Sequence, residues 1–442
     1  MLEDRGLERR KKLLSYSSLR RLEQRGFFLR FIWVASLMAV AGMVLWPRLY
    51  VIANNEPGKF WDAAIYYRAM QAIRAGLDPY AVGLARQYAA QAAGQHAFTW
   101  VYPPITLLAL RTFNLPPEWL AAALYGVAYC VGYVGQVWAA TQCFRRQDRA
   151  VMKYAVPVAI FFPALMPRDT ILCGNVACIF YGAIFAAAVL GWKRGIWRWF
   201  YLAVFLAACF KLPFLTLLAI PALAGKRQWL KATGVGAAGL GLFAAQSWLW
   251  PVQFHEYLVS IGLQFQFNHD FGLSPAGILM RVLYWRGLPY TTVPMLVFLI
   301  YGGMLFAVLC HFSKLYHQGR ISAESWIPVL LIGTILMNPR IMFYDALPLA
   351  LPMALIVVRS VASRSKAGVA LAVSVMFLIV TDLFLDLPSS VDPPRDMLVL
   401  LAVMALGLQY LVAEARRSWP ESLVVHPVVA AVSEPAVSEI DC

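Results

Sequence analysis

The sequence predicts an all-α polytopic membrane protein, and three observations carry that prediction. Hydrophobic residues fill 61% of the 442 positions and charged residues only 14%, with a mean hydropathy of +0.63. Soluble domains run nearer ~45–50% apolar and ~25% charged. The longest apolar runs approach or exceed the ~20 residues that carry a helix across a bilayer. No ten-residue alternation of apolar and polar positions recurs, so helices rather than a β-barrel must satisfy the backbone inside lipid. The formal charge of +15 does not point to nucleic acid. Lys and Arg cluster in short runs between apolar segments, where they set topology.

The elements follow in order. Residues 1–26 are basic, with RGLERRKKLLSYSSLRRLEQR from Arg5 to Arg25. That run is too long and too charged for a secretory signal, and no small-residue cleavage site follows, so Phe27 to Ile52 reads as a retained first helix with its amino end in the cytoplasm. Further apolar segments lie at 101–114, 118–142, 151–167, 170–191, 197–210, 212–224, 229–251, 291–312, 324–338, 343–361, 366–386 and 396–413. The basic runs between them, such as Arg145 to Arg149, Lys226 to Lys231 and Lys314 to Arg320, all fall on the cytoplasmic side if 101–114 does not cross fully. The prolines Pro103 and Pro104 favour that partial or strongly tilted reading.

This topology makes 27–417 one membrane domain of about ten to thirteen helices, with outside loops at 53–100 and 252–290 and two outside links, Met166 to Thr170 and Asn338 to Asp345. Residues 418–442 lack helical period and read as a disordered cytoplasmic tail. The seven cysteines are scattered singly, without CxxC spacing, and give neither a disulfide framework nor a zinc site.

The outside positions hold the unusual chemistry. In WDAAIYYRAMQAIRAGLDPY (Trp61 to Tyr80), Asp62 and Tyr66 are four apart on one helix face, beside an apolar stripe of Ile65, Ala69, Ala72 and Ile73. Gly76 can end that helix in a left-handed turn and Pro79 stops its resumption. Asp62 is then either a carboxylate held at the water–lipid boundary or a first-turn acid favoured by the helix dipole. Arg168, Lys211 and Arg340 fall outside, against the usual positive-inside bias, and three such cations suggest a bound anion. Arg offers a bidentate fork to a phosphate and Lys a point charge. Lys211 alone could also be a snorkelling lysine at an interface. His255 and His269 share no ligand spacing, so no metal and no cofactor is assigned.

The ordered runs DAAIYYRA and AGLDPY, VYPPITLLAL (Val101 to Leu110), GNVACIF (Gly174 to Phe180), KLPFLTLLAIPAL (Lys211 to Leu223) and NPRIMFYDALPLALP (Asn338 to Pro352) resemble glycosyltransferase family 87 over about residues 55–355. This family of the GT-C superfamily includes polyprenol-phosphate-mannose-dependent α-mannosyltransferases. The resemblance implies a bundle of ten to twelve helices with an extracytoplasmic active site. It also implies transfer of a sugar from a polyprenyl phosphate to a lipid or glycan acceptor with inversion. The position that matches the usual general base is Asp62. Lys211, Arg340 and Arg168 would hold the donor phosphate, with Tyr66, Tyr67, Tyr102, Asn175, Tyr344 and Asp345 around the substrates. Where several relatives carry a histidine after the Asn-Pro pair, this chain has Phe343, Tyr344 and Asp345, so that histidine's role does not carry over.

The expected function is an inverting hexosyltransferase of a bacterial inner membrane, with mannose as the sugar carried over from the relatives. Its partners would be the lipid-linked donor, the acceptor and membrane lipids, and no nucleic acid. The competing class is a transporter or lipid flippase, because charged residues within a helical bundle also suit a substrate pathway. No second copy of WDAAIYY or KLPF gives the internal repeat that many transporters show.

Overall fold

The computed structural model describes residues 61–93, 98–112, 118–143, 149–159, 173–225, 228–269, 271–362, 366–384 and 392–418. The expected first helix, the basic amino end, Arg168 and the tail beyond Ser418 lie outside these described residues. Every regular element among the described residues is helical.

The outer segment begins with α1 (Trp61–Arg74), α2 (Pro79–Ala92) and α3 (Thr106–Thr112). Then come α4 (Glu118–Cys143), α5 (Arg149–Ala159), α6 (Ala177–Arg194) and α7 (Arg198–Phe210). A 3-10 segment, Leu212–Leu218, continues into α8 (Ala219–Ala224), followed by α9 (Trp229–Leu249), α10 (Pro251–Asn268) and α11 (Pro275–Trp285). The rest is α12 (Thr292–His317), α13 (Ala323–Leu336), α14 (Phe343–Ala346), α15 (Ala350–Ala362), α16 (Lys366–Phe384) and α17 (Asp392–Arg417).

Among the described residues, five stretches are long and apolar enough to cross a membrane: Leu120–Gln142, Ala177–Arg194, Thr292–His317, Phe343–Ala362 and Pro394–Arg417. Shorter apolar helices, Arg198–Phe210, Leu212–Ala224 and Ala323–Leu336, fill the bundle between them. α4 exposes Val127, Val131 and Val134 along one stripe, and α12 exposes Leu299, Ile300 and Met304. Apolar residues turned outward in this way fit a surface solvated by lipid. The interior is carried by α13, where Trp326, Leu330, Ile332 and Leu336 are fully buried.

Within the segment at 101–114 the described residues run to Thr112 and form one short helix. Among the described residues of that segment only Thr106–Thr112 is helical, a length of about 10 Å against a hydrocarbon core of about 30 Å. The Pro103-Pro104 pair is turned into α3 by bonds from the Thr106 and Leu107 N–H groups to the Pro103 and Pro104 carbonyls, each 2.9 Å. Gln246 of α9 pins the turn by accepting from the Ile105 N–H at 2.9 Å.

Two helix packings set the site. α4 and α6 meet at glycines, where a Cβ on Gly132 would lie 2.7 Å from the Cys178 carbonyl oxygen and one on Gly182 would lie 2.6 Å from the Gly132 Cα. Small residues here let the two backbones touch. α7 runs to Lys211, where the chain turns and packs its 3-10 segment back against α7. The alternation of α6, α7, α13 and α15 thereby gathers Asn175, Lys211 and Arg340 at one end of the bundle, with Lys193, Arg194, Lys314 and Arg359 at the other.

Candidate active site

α1 forms as its sequence demands. Ile65, Tyr66, Ala69 and Ala72 are buried along one face, and Gly76 closes the helix at φ +71°. The Leu77 N–H reaches the Ala72 carbonyl at 2.9 Å and the Gly76 N–H reaches that of Ile73 at 3.1 Å, the paired closure that a left-handed glycine permits. Pro79 does more than stop the chain: it opens α2, with the Asp78 side chain accepting from the Tyr80 N–H at 2.8 Å. A proline in the first helical turn forfeits no helical hydrogen bond.

The amino end of α1 is tied to the loop before α6. The Asp62 N–H donates to the Cys173 carbonyl at 3.0 Å. The Asn175 Nδ2 donates to Asp62 Oδ2 at 2.8 Å. Gly174 sits at φ +69°, and its carbonyl accepts from the Tyr125 hydroxyl of α4. Asn175 Oδ1 in turn accepts from the Ala177 N–H at 2.9 Å, fixing the side chain as the chain enters α6.

Lys211 meets this loop from the opposite side. It has an extended backbone, φ −142°, at the end of α7. Its Nζ donates to the Tyr344 hydroxyl at 2.7 Å and to Asn175 Oδ1 at 3.4 Å. The ammonium also lies 4.1 Å from the centroid of the Tyr344 ring, within cation–π range. These contacts aim it into the protein, whereas a snorkelling lysine reaches outward. Asp62 and Lys211 are therefore joined through one side-chain amide.

Tyrosines line the space between them. Tyr66 and Tyr102 share a hydroxyl–hydroxyl bond of 2.6 Å, the Tyr66 hydroxyl accepts from the Val176 N–H at 3.1 Å, and the Tyr80 hydroxyl donates to the Tyr102 carbonyl. Burial, reinforced by the Asp62 charge, pushes the Tyr66 and Tyr102 phenols up, so both stay protonated. Burial pulls the Lys211 ammonium down and the nearby Arg340 charge adds to that, while Asp345 and Asp62 oppose it. Tyr67 is half-buried on α1 beside Tyr66.

The late loop supplies the remaining wall. Asn338 Oδ1 accepts from the Arg340 N–H at 2.9 Å, and the Arg340 guanidinium stands 5.6 Å from the centroid of the Phe265 ring on α10. The Leu273 N–H donates to the Ile341 carbonyl at 2.6 Å and the Ser274 hydroxyl donates to that of Pro339. Gly272, at φ +78°, admits this close approach, since a Cβ there would lie 2.7 Å from the Ile341 oxygen. Asp345 is buried. Its Oδ1 accepts from the Tyr181 hydroxyl at 3.0 Å and its Oδ2 from the Met342 N–H at 2.9 Å.

The structure thus brings Asp62, Tyr66, Tyr102, Asn175, Lys211 and Tyr344 into direct contact through successive bonds, with Arg340 near enough for its charge to act on Lys211 and Tyr102. It adds residues that sequence reasoning passed over: Tyr125, Tyr181 and Phe265. For Tyr125 a signal existed, since Tyr125, Tyr129 and Tyr133 form a four-residue ladder in an otherwise apolar helix. Phe265 gave none within a run of aromatic residues. Among the described residues, no three His, Cys, Asp or Glu side chains stand together as a metal ligand set.

Fold and composition define a multi-pass helical membrane protein whose polar groups converge at one end. The sequence profile of glycosyltransferase family 87 matches residues 100–339, just over half the chain, and the protein belongs to that family. It is a glycosyltransferase, with a sugar donor and an acceptor as its substrates. No curated protein and no solved structure matches it. Tyr102, Asn175 and Lys211 lie within the matched residues; Asp62, Tyr66, Tyr67, Arg340, Tyr344 and Asp345 lie beyond them.

Proposed function

We propose that the protein transfers a hexose, mannose by analogy with its family, from a polyprenyl phosphate to a hydroxyl of a lipid or glycan acceptor, with inversion at the anomeric carbon. The observation that carries this reading is the coupling of a carboxylate and an ammonium through Asn175, with 2.8 Å on the Asp62 side and 3.4 Å on the Lys211 side. The basic loops at the opposite end of the bundle support an extracytoplasmic site in a bacterial inner membrane.

In the proposed step the acceptor oxygen attacks the anomeric carbon from the face opposite the phosphate, and its proton passes to the Asp62 carboxylate. The bond between the anomeric carbon and the phosphate oxygen breaks, and its electron pair leaves on the polyprenyl phosphate, which gains a negative charge. Lys211 and Arg340 stabilise that growing charge, and Arg168 serves the same phosphate. The protonated phenols of Tyr66 and Tyr102 and the Tyr344 ring shape the space around the sugar. Tyr67 stands with them as a substrate contact, and the buried Asp345 acts as the counter-charge to Lys211.

The test is to incubate purified protein with a short-chain polyprenyl-phosphate-mannose and a panel of lipid and glycan acceptors, and to read product by mass and anomeric configuration. Sugar transfer with inversion supports the reading. Movement of the lipid across liposomes without any transfer would assign a flippase instead.

A further inference from the structure

Asn175 stands among the expected substrate-binding residues, but its hydrogen bonds assign it other work. The residue is 3% exposed. Its Nδ2 donates to Asp62 Oδ2 at 2.8 Å and reaches the Tyr102 hydroxyl at 3.5 Å. Its Oδ1 accepts from the Ala177 N–H at 2.9 Å and from Lys211 Nζ at 3.4 Å. A carboxamide has two donor hydrogens and two acceptor lone pairs, so these four contacts use its whole capacity and leave none for a sugar or a phosphate. Its orientation follows from chemistry as well. The Ala177 N–H and the ammonium can only donate, so both must face Oδ1, which turns Nδ2 onto the carboxylate.

We propose that Asn175 is a positioning residue that holds the Asp62 carboxylate in register with Lys211 and makes that register responsive to the donor phosphate. The inference rests on the catalytic reading of Asp62 and Lys211. The contact between Lys211 and Asn175 is the longer side of the bridge. A donor phosphate competing for the ammonium draws on that side first. Asn175 Oδ1 then keeps its bond to the Ala177 N–H alone, and the amide is free to tighten onto Asp62. The base is set for the acceptor only once the donor is in place.

A backbone carbonyl and a hydroxyl nearby give this bridge a rigid mount. Cys173 gives its carbonyl to the Asp62 N–H, and Tyr66 takes the Val176 N–H. The two residues flanking the Gly174-Asn175 pair are therefore bonded to α1, and the pair cannot shift without moving the base.

Two variants test the proposal in the sugar-transfer assay. Asn175→Asp keeps the shape but replaces the donor facing Asp62 with a second carboxylate, and two adjacent carboxylates hold a proton more tightly than one. The acid limb of its kcat/KM profile is expected to move up by about one pH unit or more, with activity recovering as pH rises. Asn175→Ala is expected to lower kcat about tenfold or more while donor KM stays within about threefold. An unmoved acid limb in Asn175→Asp overturns the proposal. So does a raised donor KM at unchanged kcat in Asn175→Ala, which would make the residue a binding group, and that variant still decides the matter if the aspartate does not fold. Asp62→Asn is run alongside. If it is inactive while the Asn175→Asp limb stays put, only the role of Asn175 fails. If it is active, the catalytic reading beneath the proposal fails.

Discussion

Lys211→Met removes one charge from the site and little else. Methionine follows the lysine stem closely, so packing between the end of α7 and Tyr344 is retained. What disappears is an ammonium 2.7 Å from the Tyr344 hydroxyl, 3.4 Å from Asn175 Oδ1 and 4.1 Å from a ring centroid. If that ammonium carries the donor phosphate, the loss is one charge-assisted hydrogen bond, worth about 1.5–3 kcal/mol. At about 1.36 kcal/mol per decade, kcat/KM for the lipid-linked donor should fall about 10–150-fold. The effect on kcat should exceed that on KM if the bond strengthens as the phosphate gains charge. Initial rates with a short-chain donor at saturating acceptor give the number. Lys211→Arg, which keeps the charge in another shape, should recover part of it. A methionine variant within about threefold of wild type would refute the assignment and leave Lys211 as a structural prop for Tyr344.

Two further outcomes follow from the same geometry. Burial depresses the Lys211 ammonium, so its charged form is present below its own pKa and lost as pH rises through it; the alkaline limb of kcat/KM should fall below the ordinary lysine range and disappear in Lys211→Arg, which a pH–rate profile in the free enzyme reports. Gly182→Val places a side chain where even a Cβ would lie 2.6 Å from the Gly132 Cα; overpacking of this kind costs about 1–3 kcal/mol, and a lowered unfolding temperature in detergent should accompany reduced transfer, whereas an unchanged midpoint would show that α4 and α6 do not touch as described.

How much could be read from the sequence depended on how local the cause was. The end of α1 was legible because a single residue causes it: Gly76 can take a positive φ cheaply. The late start of α3 was legible from Pro103-Pro104, since prolines inside a helix remove its hydrogen bonds and clash with the preceding turn. Pro79 was half legible, as its effect as a breaker was plain but its role in opening α2 depended on the Asp78 cap. The gathering of Asp62, Asn175 and Lys211 had no local cause. They lie 113 and 36 residues apart along the chain, and only the family resemblance suggested that they meet. Asp345 shows the limit of reading a charge by its position alone. Its place in an outside turn says nothing of its partners, and both its oxygens are bonded within the protein, to Tyr181 and Met342. The contact of Gly132 with Gly182 was equally hidden, because nothing in either helix names its partner.

The central claim is that the carboxylate at the start of α1 removes the acceptor proton, and single-turnover transfer by Asp62→Asn tests it most directly. The substitution keeps the side-chain shape but removes the basic oxygen that now accepts from Asn175. General-base catalysis is worth about 10²–10⁴-fold, so the chemical step should slow by that factor while donor binding, measured with a non-transferable analogue, stays close to wild type. Transfer at the wild-type rate by a folded, donor-binding Asp62→Asn protein would contradict the account.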